Sequence, residues 1–311
     1  MSWKPIVIGV DASAEAAAAV AFGCWTAEAA QTSCHLVHAA HDAWSALATV
    51  ELPERAHEFT QATLAQAREQ VLHALWGTVP AAVLERLTIR QGRAPAVLKQ
   101  AVADLGAELL VLGGKHHSAL GRWLAGSTSL DVARTTQVPL LVTCAVPAQV
   151  RRILVAVDLS QAARPTLAAA ERYAELFCAE LRALSVFEPL PQIPGSETTY
   201  DGTEYYRMLE EQLERDVWPL MKMPGAEHLV RYGMAVETIL REATEWQADI
   251  LVVGSHGRGW AERILMGSVT EKLLNHLPTS VLVVPVGAPQ GAGPTNVRRR
   301  HSRTQAVAAH V

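Results

Sequence analysis

The sequence predicts an α/β protein of two tandem doubly wound domains, each a five-stranded parallel sheet flanked by helices. Three observations lead there. The chain is written twice. Its strands are short, continuous apolar runs, as in sheets covered on both faces. Amphipathic stretches of helical length separate those runs.

The duplication is legible in four correspondences. Ile6-Val7-Ile8-Gly9-Val10-Asp11-Ala12-Ser13 returns as Ile153-Leu154-Val155-Ala156-Val157-Asp158-Leu159-Ser160, which makes Asp11 and Asp158 equivalent. Gly92-Arg93-Ala94 returns as Gly233-Met234-Ala235. Leu109-Leu110-Val111-Leu112-Gly113 returns as Ile250-Leu251-Val252-Val253-Gly254, and Val138-Pro139-Leu140-Leu141-Val142 as Thr279-Ser280-Val281-Leu282-Val283. The offset falls from 147 residues (Asp11 to Asp158) to 141 (Gly113 to Gly254), so one loop is six residues shorter in the second copy. A repeat of this length means two domains rather than a solenoid of short units.

In order along the chain, apolar runs place strands near 5–10, 34–39, 86–91, 108–113 and 139–144 in the first copy. Those of the second lie near 152–157, 181–187, 228–232, 249–254 and 280–285. Helices fill most intervals, at 14–30, 57–76, 94–105, 162–178, 203–221 and 236–247. Ala145-Val146-Pro147-Ala148 marks the boundary, giving domains 1–146 and 147–287. The tail 288–311, rich in Gly, Pro and Arg, reads as disordered and solvated.

Composition narrows the function. The 311 residues are 50% hydrophobic and 19% charged, enough to bury real cores. A net charge of -4 gives no footing for a general nucleic-acid or membrane-surface binder. No apolar run is long enough to span a bilayer, and Met1-Ser2-Trp3-Lys4-Pro5 lacks the regions of a signal peptide. Cys24, Cys34, Cys144 and Cys178 show no CxxC spacing, which reads as a reduced, cytoplasmic protein. Cys24 and Cys178 read as small core residues at comparable helix positions. His35 and His38 would face opposite sides of a strand, so with His41 they make no expected metal site. The tryptophans are scattered, with no pattern for stacking on nucleic acid.

The chemistry concentrates in Gly254-Ser255-His256-Gly257 and, nine residues later, Gly267-Ser268. A strand, Ile250-Leu251-Val252-Val253, runs into this loop, and a helical pattern with Val269, Leu273, Leu274 and Leu277 leaves it. Glycines let backbone N–H groups approach an anion, and a helix N-terminus adds a favourable partial charge. Such a loop cradles phosphate, and Ser268 is expected to cap the helix. Ligands of doubly wound sheets bind beyond the C-terminal strand ends where strand order reverses, so Asp158 and this loop meet across one crevice. Arg258 and Arg263 are candidates to neutralise phosphate, or are solvated loop residues. Asp158 also fits a turn-forming aspartate after a strand.

With these residues in place, the chain resembles a tandem universal stress protein, over about residues 3–286. Gly254, Gly257, Gly267 and Ser268 match every position of that family's G-x2-G-x9-G-[ST] nucleotide motif. The resemblance implies that Asp158 contacts the adenosine part of ATP, that the Val186 backbone contacts adenine, and that Arg258 and Val269 belong to the same site. It implies ATP or a related adenine nucleotide, with or without magnesium, in a stress-responsive cytoplasmic regulator. Family members dimerise through their last strands. A tandem chain can make that pairing between its own halves as a pseudo-dimer, dimerise again, and engage a protein partner that the sequence does not name.

The first copy departs from the motif. Asp11, Gly113, Gly126 and Ser127 keep their places, but His116 replaces the second glycine and Ala39 stands where Val186 stands. The C-terminal site is therefore expected to be competent and the N-terminal one degenerate, with Lys115 as a substitute charge. No GxxxxGK[ST] loop is present, so the alternatives are a slow ATPase or nucleotidyl transferase, or a scaffold without nucleotide. Glu262, Glu271 and His256 are the candidate catalytic groups, none dedicated by its pattern. Glu188–Glu204, rich in proline, reads as a lid or a surface loop.

Overall fold

The computed structural model describes residues 2–13, 15–40, 53–117, 122–144, 149–189, 202–257 and 266–286. Arg258, Glu262, Arg263, His41, most of the Glu188–Glu204 segment, the 145–148 boundary and the tail lie outside the described residues.

The first half runs β1 (Ile6–Gly9), α1 (Glu15–Ala29), β2 (Cys34–Ala40), α2 (Pro53–Leu75), the single turn α3 (Ala81–Leu84), β3 (Leu87–Gln91), α4 (Ala94–Leu105), β4 (Leu109–His117), β5 (Arg122–Ala125), α5 (Ser127–Thr135) and β6 (Leu140–Thr143). The second runs β7 (Arg152–Ala156), α6 (Ala163–Phe177), β8 (Glu180–Phe187), α7 (Gly202–Asp216), β9 (Glu227–Tyr232), α8 (Ala235–Glu245), β10 (Ile250–Gly254), α9 (Ser268–Leu274) and β11 (Ser280–Val284). A 3-10 turn, Trp218–Leu220, follows α7. The repeat holds down to its turns. Gly92 (φ +133°) and Gly233 (φ +142°) adopt a backbone open to glycine. Their N–H groups bond Ala40 O and Phe187 O, each at 3.0 Å.

The two sheets are not separate. Strand order is β3-β2-β1-β4-β6-β11-β10-β7-β8-β9, with β5 paired to β4. Apart from the β4–β5 hairpin each half is parallel within itself, and the halves join through antiparallel β6 and β11. Each half has its expected five parallel strands, the expected pairing of last strands joins the two into one continuous sheet, and a β4–β5 hairpin is added.

The apolar strands are explained by the two cores they fill. Ile6, Ile8, Ile153, Val155, Ile250 and Val252 enter one core with α1, α2 and α6. Their neighbours Val7, Leu154, Leu251 and Val253 enter the other, with α4, α5, α8 and α9. Successive side chains of a strand face opposite ways, so a strand covered on both faces must be apolar throughout. The junction obeys the same rule. Leu141 opposes Leu282 in the first core, while Leu140 opposes Val283 and Val142 opposes Val281 in the second. Both cores therefore run unbroken across the halves.

Other contacts cross the junction. Trp25 stacks on Phe177 (4.8 Å between centroids, 10° between planes) and Trp3 meets Tyr173 edge-on at 5.2 Å. Arg172 holds Glu108 with two hydrogen bonds, 2.8 and 3.1 Å, and its guanidinium lies 3.6 Å from the Trp3 ring centre. Cys144 N–H donates to Ser280 Oγ at 3.3 Å. Such aromatic pairs add about 0.5–1.5 kcal/mol each beyond burial. Burial of the β6 and β11 side chains is the larger effect.

One expectation fails here. Cys178 is not a core residue but the exposed left-handed C-cap of α6 (φ +53°), and Gln31 (φ +52°), not Cys24, is its counterpart. Helical periodicity cannot mark the residue that reverses a helix end.

Leu282→Ala, at a side chain with no exposure, is expected to cost about 2–5 kcal/mol. Because the cores are shared, urea unfolding followed by far-UV circular dichroism and by tryptophan fluorescence should show one coincident, shifted transition. Two separated transitions, with only the second half affected, would refute a single cooperative sheet.

Candidate functional site

In each half the first strand order reversal, between β1 and β4 or between β7 and β10, opens a cleft at the C-terminal strand ends. Because the halves join antiparallel, the two clefts face opposite edges of the long sheet.

The second-half cleft encloses about 380 Å³. Asp158, Val186, Gly254, Gly257, Gly267, Ser268 and Val269 all line it, so seven of the residues singled out in this half come together. Its shape is set by hydroxyls and carbonyls. Gly254 ends β10, and its carbonyl accepts from Thr270 Oγ1 at 2.7 Å, which ties α9 to the strand end. Ser255 N–H donates to Val284 O at 2.8 Å, Ser255 Oγ accepts from Val286 N–H at 3.0 Å, and Ser255 O accepts from Gly267 N–H at 2.9 Å. Ser255 Oγ also lies 2.9 Å from His256 Nδ1. The loop is thereby clamped to β11 on one side and to the start of α9 on the other.

None of the three glycines has a positive φ, and Gly254 and Gly257 serve packing instead. A Cβ at Gly254 would stand 3.0 Å from Thr166 Oγ1 and 3.2 Å from His256 O. Thr166 cannot retreat, because it is 1% exposed and its hydroxyl donates to Ala162 O at 2.7 Å. A Cβ at Gly257 would stand 2.8 Å from Asp158 Oδ2. The other carboxylate oxygen, Oδ1, accepts from Ser160 N–H at 3.0 Å. Asp158 is therefore a turn-forming aspartate and a cleft residue at once, one oxygen for each. A Cβ at Gly267 would meet only ordinary contacts, 3.5 Å or more.

Ser268 does not cap α9. Gly267 is the N-cap, Ser268 is the first helical residue, and no side chain caps the end. Gly126 and Ser127 repeat this arrangement on α5. Glu271 is directed elsewhere and pairs with Arg134 at 3.1 Å across the halves. Among the described lining residues, Asp158 and Glu188 are the carboxylates and no Lys or Arg is present. Glu188 Oε1 accepts from Ala235 N–H at 3.0 Å.

The first-half cleft brings together Asp11, Gly113, Gly126, Ser127, Lys115 and Ala39, but encloses about 130 Å³. Two causes reduce it. Where β10 stops at Gly254, β4 runs on through Gly114, Lys115, His116 and His117, paired antiparallel with Arg122–Ala125. The chain that would form a glycine loop is held as a hairpin instead. His38, the counterpart of Ser185, also occupies the cleft wall, its Nδ1 2.7 Å from Val10 O. Ser185 is 1% exposed, lines the larger cleft, and has no hydrogen-bond partner for Oγ among the described residues. The Lys115 stem lies across Gly126, with Cε 3.3 Å from where a Cβ would be.

Sequence reasoning did not single out Ser255 or Thr270 as organisers of the loop, nor Ser185 against His38. The signal for Thr270 was there, since Ser129 keeps a hydroxyl at the same place two residues after Gly126-Ser127.

Comparison with known proteins agrees with the repeat. The model of the universal stress protein family matches the chain twice, over residues 2–143 and 149–285. A universal stress protein of Mycolicibacterium smegmatis is 30% identical over 295 residues, covering 90% of this chain and 96% of that protein. One of Mycobacterium tuberculosis is 25% identical over 288 residues, covering 89% and 96%. The crystal structure of a universal stress protein from Archaeoglobus fulgidus has a TM-score of 0.58 over 91% of this chain and 98% of that one. At 18% identity it speaks for the fold alone.

The glycine contacts order three substitutions. Gly254→Ala is expected to destabilise by about 1–3 kcal/mol, the usual cost of overpacking. Gly257→Ala should cost about 1 kcal/mol as it displaces the Asp158 carboxylate. Gly267→Ala should cost less than either, since it meets no clash and the freedom it removes from the unfolded chain offsets what it loses as the N-cap of α9. Thermal melts of the three variants check the order, and an equal loss at Gly267 would contradict the described geometry.

Proposed function

The chain belongs to the universal stress protein family, and on that footing we propose that its C-terminal half is an adenine-nucleotide sensor. ATP or a related nucleotide, with or without magnesium, occupies the cleft of β7, β8 and β10. Its occupancy biases the conformation of the chain or its choice of protein partner.

The observation that carries this reading is the meeting of Asp158 Oδ2 with Gly257 at a cleft of about 380 Å³. That volume lies within the range of small-molecule sites, about 300–1,000 Å³, whereas about 130 Å³ in the first half falls below it. Asp158 accepts a hydrogen bond from the adenosine part, Val186 lies against the base, and the backbone at Gly254–Gly257 and Gly267–Val269 receives the phosphates. With two carboxylates and no Lys or Arg among the described lining residues, backbone N–H groups carry most of the phosphate binding. Arg258 and Arg263 of the intervening segment supply positive charge.

The same composition favours binding over turnover. Fast phosphoryl transfer needs fixed cations and an oriented nucleophile at the terminal phosphate. Glu271 is engaged with Arg134, and His256 leans on Ser255. Hydrolysis is therefore slow.

Calorimetric titration of ATP into nucleotide-stripped full-length protein is expected to give one site per chain. Gly267→Asp should abolish it, since a carboxylate would face phosphate. Asp158→Ala should weaken it about 10-fold or more, the loss of one charge-assisted hydrogen bond. A flat titration of folded wild-type protein would end the sensor reading and favour a scaffold. Two equal sites would end the asymmetry between the halves.

A further inference from the structure

Away from both clefts, the inner side of α1 meets the start of β2 at two thiols. Cys24 Sγ and Cys34 Sγ stand 3.3 Å apart. Cys34 is 5% exposed, within the core shared by α1, α2 and α6, and Cys24 is half-buried against it. A disulfide needs its sulfurs at about 2.05 Å, so closing this one asks the two sulfurs to approach by little more than about 1 Å.

The two thiols are chemically unequal. The Cys24 hydrogen bond holds the Cys34 thiol well below the ordinary thiol range, the Arg86 charge adds to this, and burial opposes it. The same bond, together with burial, pushes the Cys24 thiol up. The shared hydrogen bond thus favours Cys34 as the thiolate, with Cys24 holding the proton between them.

The other cysteines lack this arrangement. Cys144 is buried, its thiol pushed up to about 12 by desolvation, and it donates to Thr279 O at 3.1 Å. Cys178 is exposed at the end of α6. In the second half the counterparts of Cys24 and Cys34 are Glu171 and Leu181. Glu171 there accepts from the N–H groups of Lys222 and Met223. The pair is a property of the first half, and the fold does not require it. A metal site does not account for it either, since no group of three His, Cys, Asp or Glu among the described residues is placed to hold an ion.

We propose that Cys24 and Cys34 are a redox-active dithiol that a hydroperoxide closes into a disulfide between α1 and β2. The Cys34 thiolate attacks the terminal peroxide oxygen, the O–O bond breaks, and the alcohol leaves (water, for hydrogen peroxide). Cys34 becomes a sulfenic acid. Cys24 sulfur then attacks that sulfur, the S–O bond breaks, and the Cys24 proton departs with the hydroxyl as water. Two thiols lose two electrons and two protons, and the peroxide is reduced. Cys24 is the more exposed of the two, so a small peroxide would reach the pair from its side. The half that lacks a roomy cleft thereby carries an input of its own.

The test uses the reduced full-length chain and hydrogen peroxide, with alkylation of remaining thiols and non-reducing peptide mapping. The expected product is one chain lighter by two hydrogens, with the Cys24 and Cys34 peptides linked and dithiothreitol restoring both thiols. Cys24→Ser should stop at a Cys34 sulfenic acid that dimedone traps. A Cys144→Ser/Cys178→Ser variant should give the same linked product as wild type. Mapping of the wild-type chain decides the matter even where a variant folds poorly. Cys24 and Cys34 recovered as free thiols after Cys178 has oxidised would overturn the proposal, as would linkage of either one to a different cysteine.

Discussion

The antiparallel pairing of β6 with β11 is the constraint on which the rest of the molecule depends. Leu140-Leu141-Val142 and Val281-Leu282-Val283 are apolar on both faces, and each would end its own sheet as an open edge. An exposed, flat, apolar edge is a template for aggregation. Pairing the two removes both edges at once and satisfies their backbone groups. It also carries each core across the middle, because opposite residues of an antiparallel pair share a face. Trp25 on Phe177, Arg172 with Glu108, and Arg134 with Glu271 follow from it, since none of these residues meets its partner unless the strands do.

That junction also separates the two clefts. The parallel strands of one half run against those of the other, so their C-terminal ends, where ligands of such sheets bind, lie on opposite edges. The halves are therefore free to differ. In one, β10 stops at Gly254 and a clamped loop leads into α9. In the other, the equivalent strand continues into a hairpin and His38 stands against the wall. One repeated arrangement thus yields a roomy cleft and a shrunken one, and the half with the smaller cleft holds the paired thiols.

Much of this was legible in the sequence. The repeat, the alternation of apolar runs with helices, and the convergence of Asp158 with Gly254, Gly257 and Gly267 follow from period and spacing, which are local. The hairpin was not legible. His116 marks a departure from the glycine motif, but whether the chain then turns or continues as a strand depends on Arg122–Ala125 lying beside it. Nor was the role of Gly267-Ser268, where serine follows the cap instead of forming it, because a one-residue shift of a helix start leaves its periodicity unchanged.

The sequence by itself determined the fold class, the duplication and the family, because hydrophobic period and glycine spacing are properties of neighbours along the chain. Only the tertiary structure decided that β4 runs on into a hairpin, that the clefts differ about threefold in volume (about 380 against 130 Å³), and that Cys24 lies against Cys34. Those depend on which surfaces meet. Packing between distant segments sets that, and a single chain read in order does not carry it.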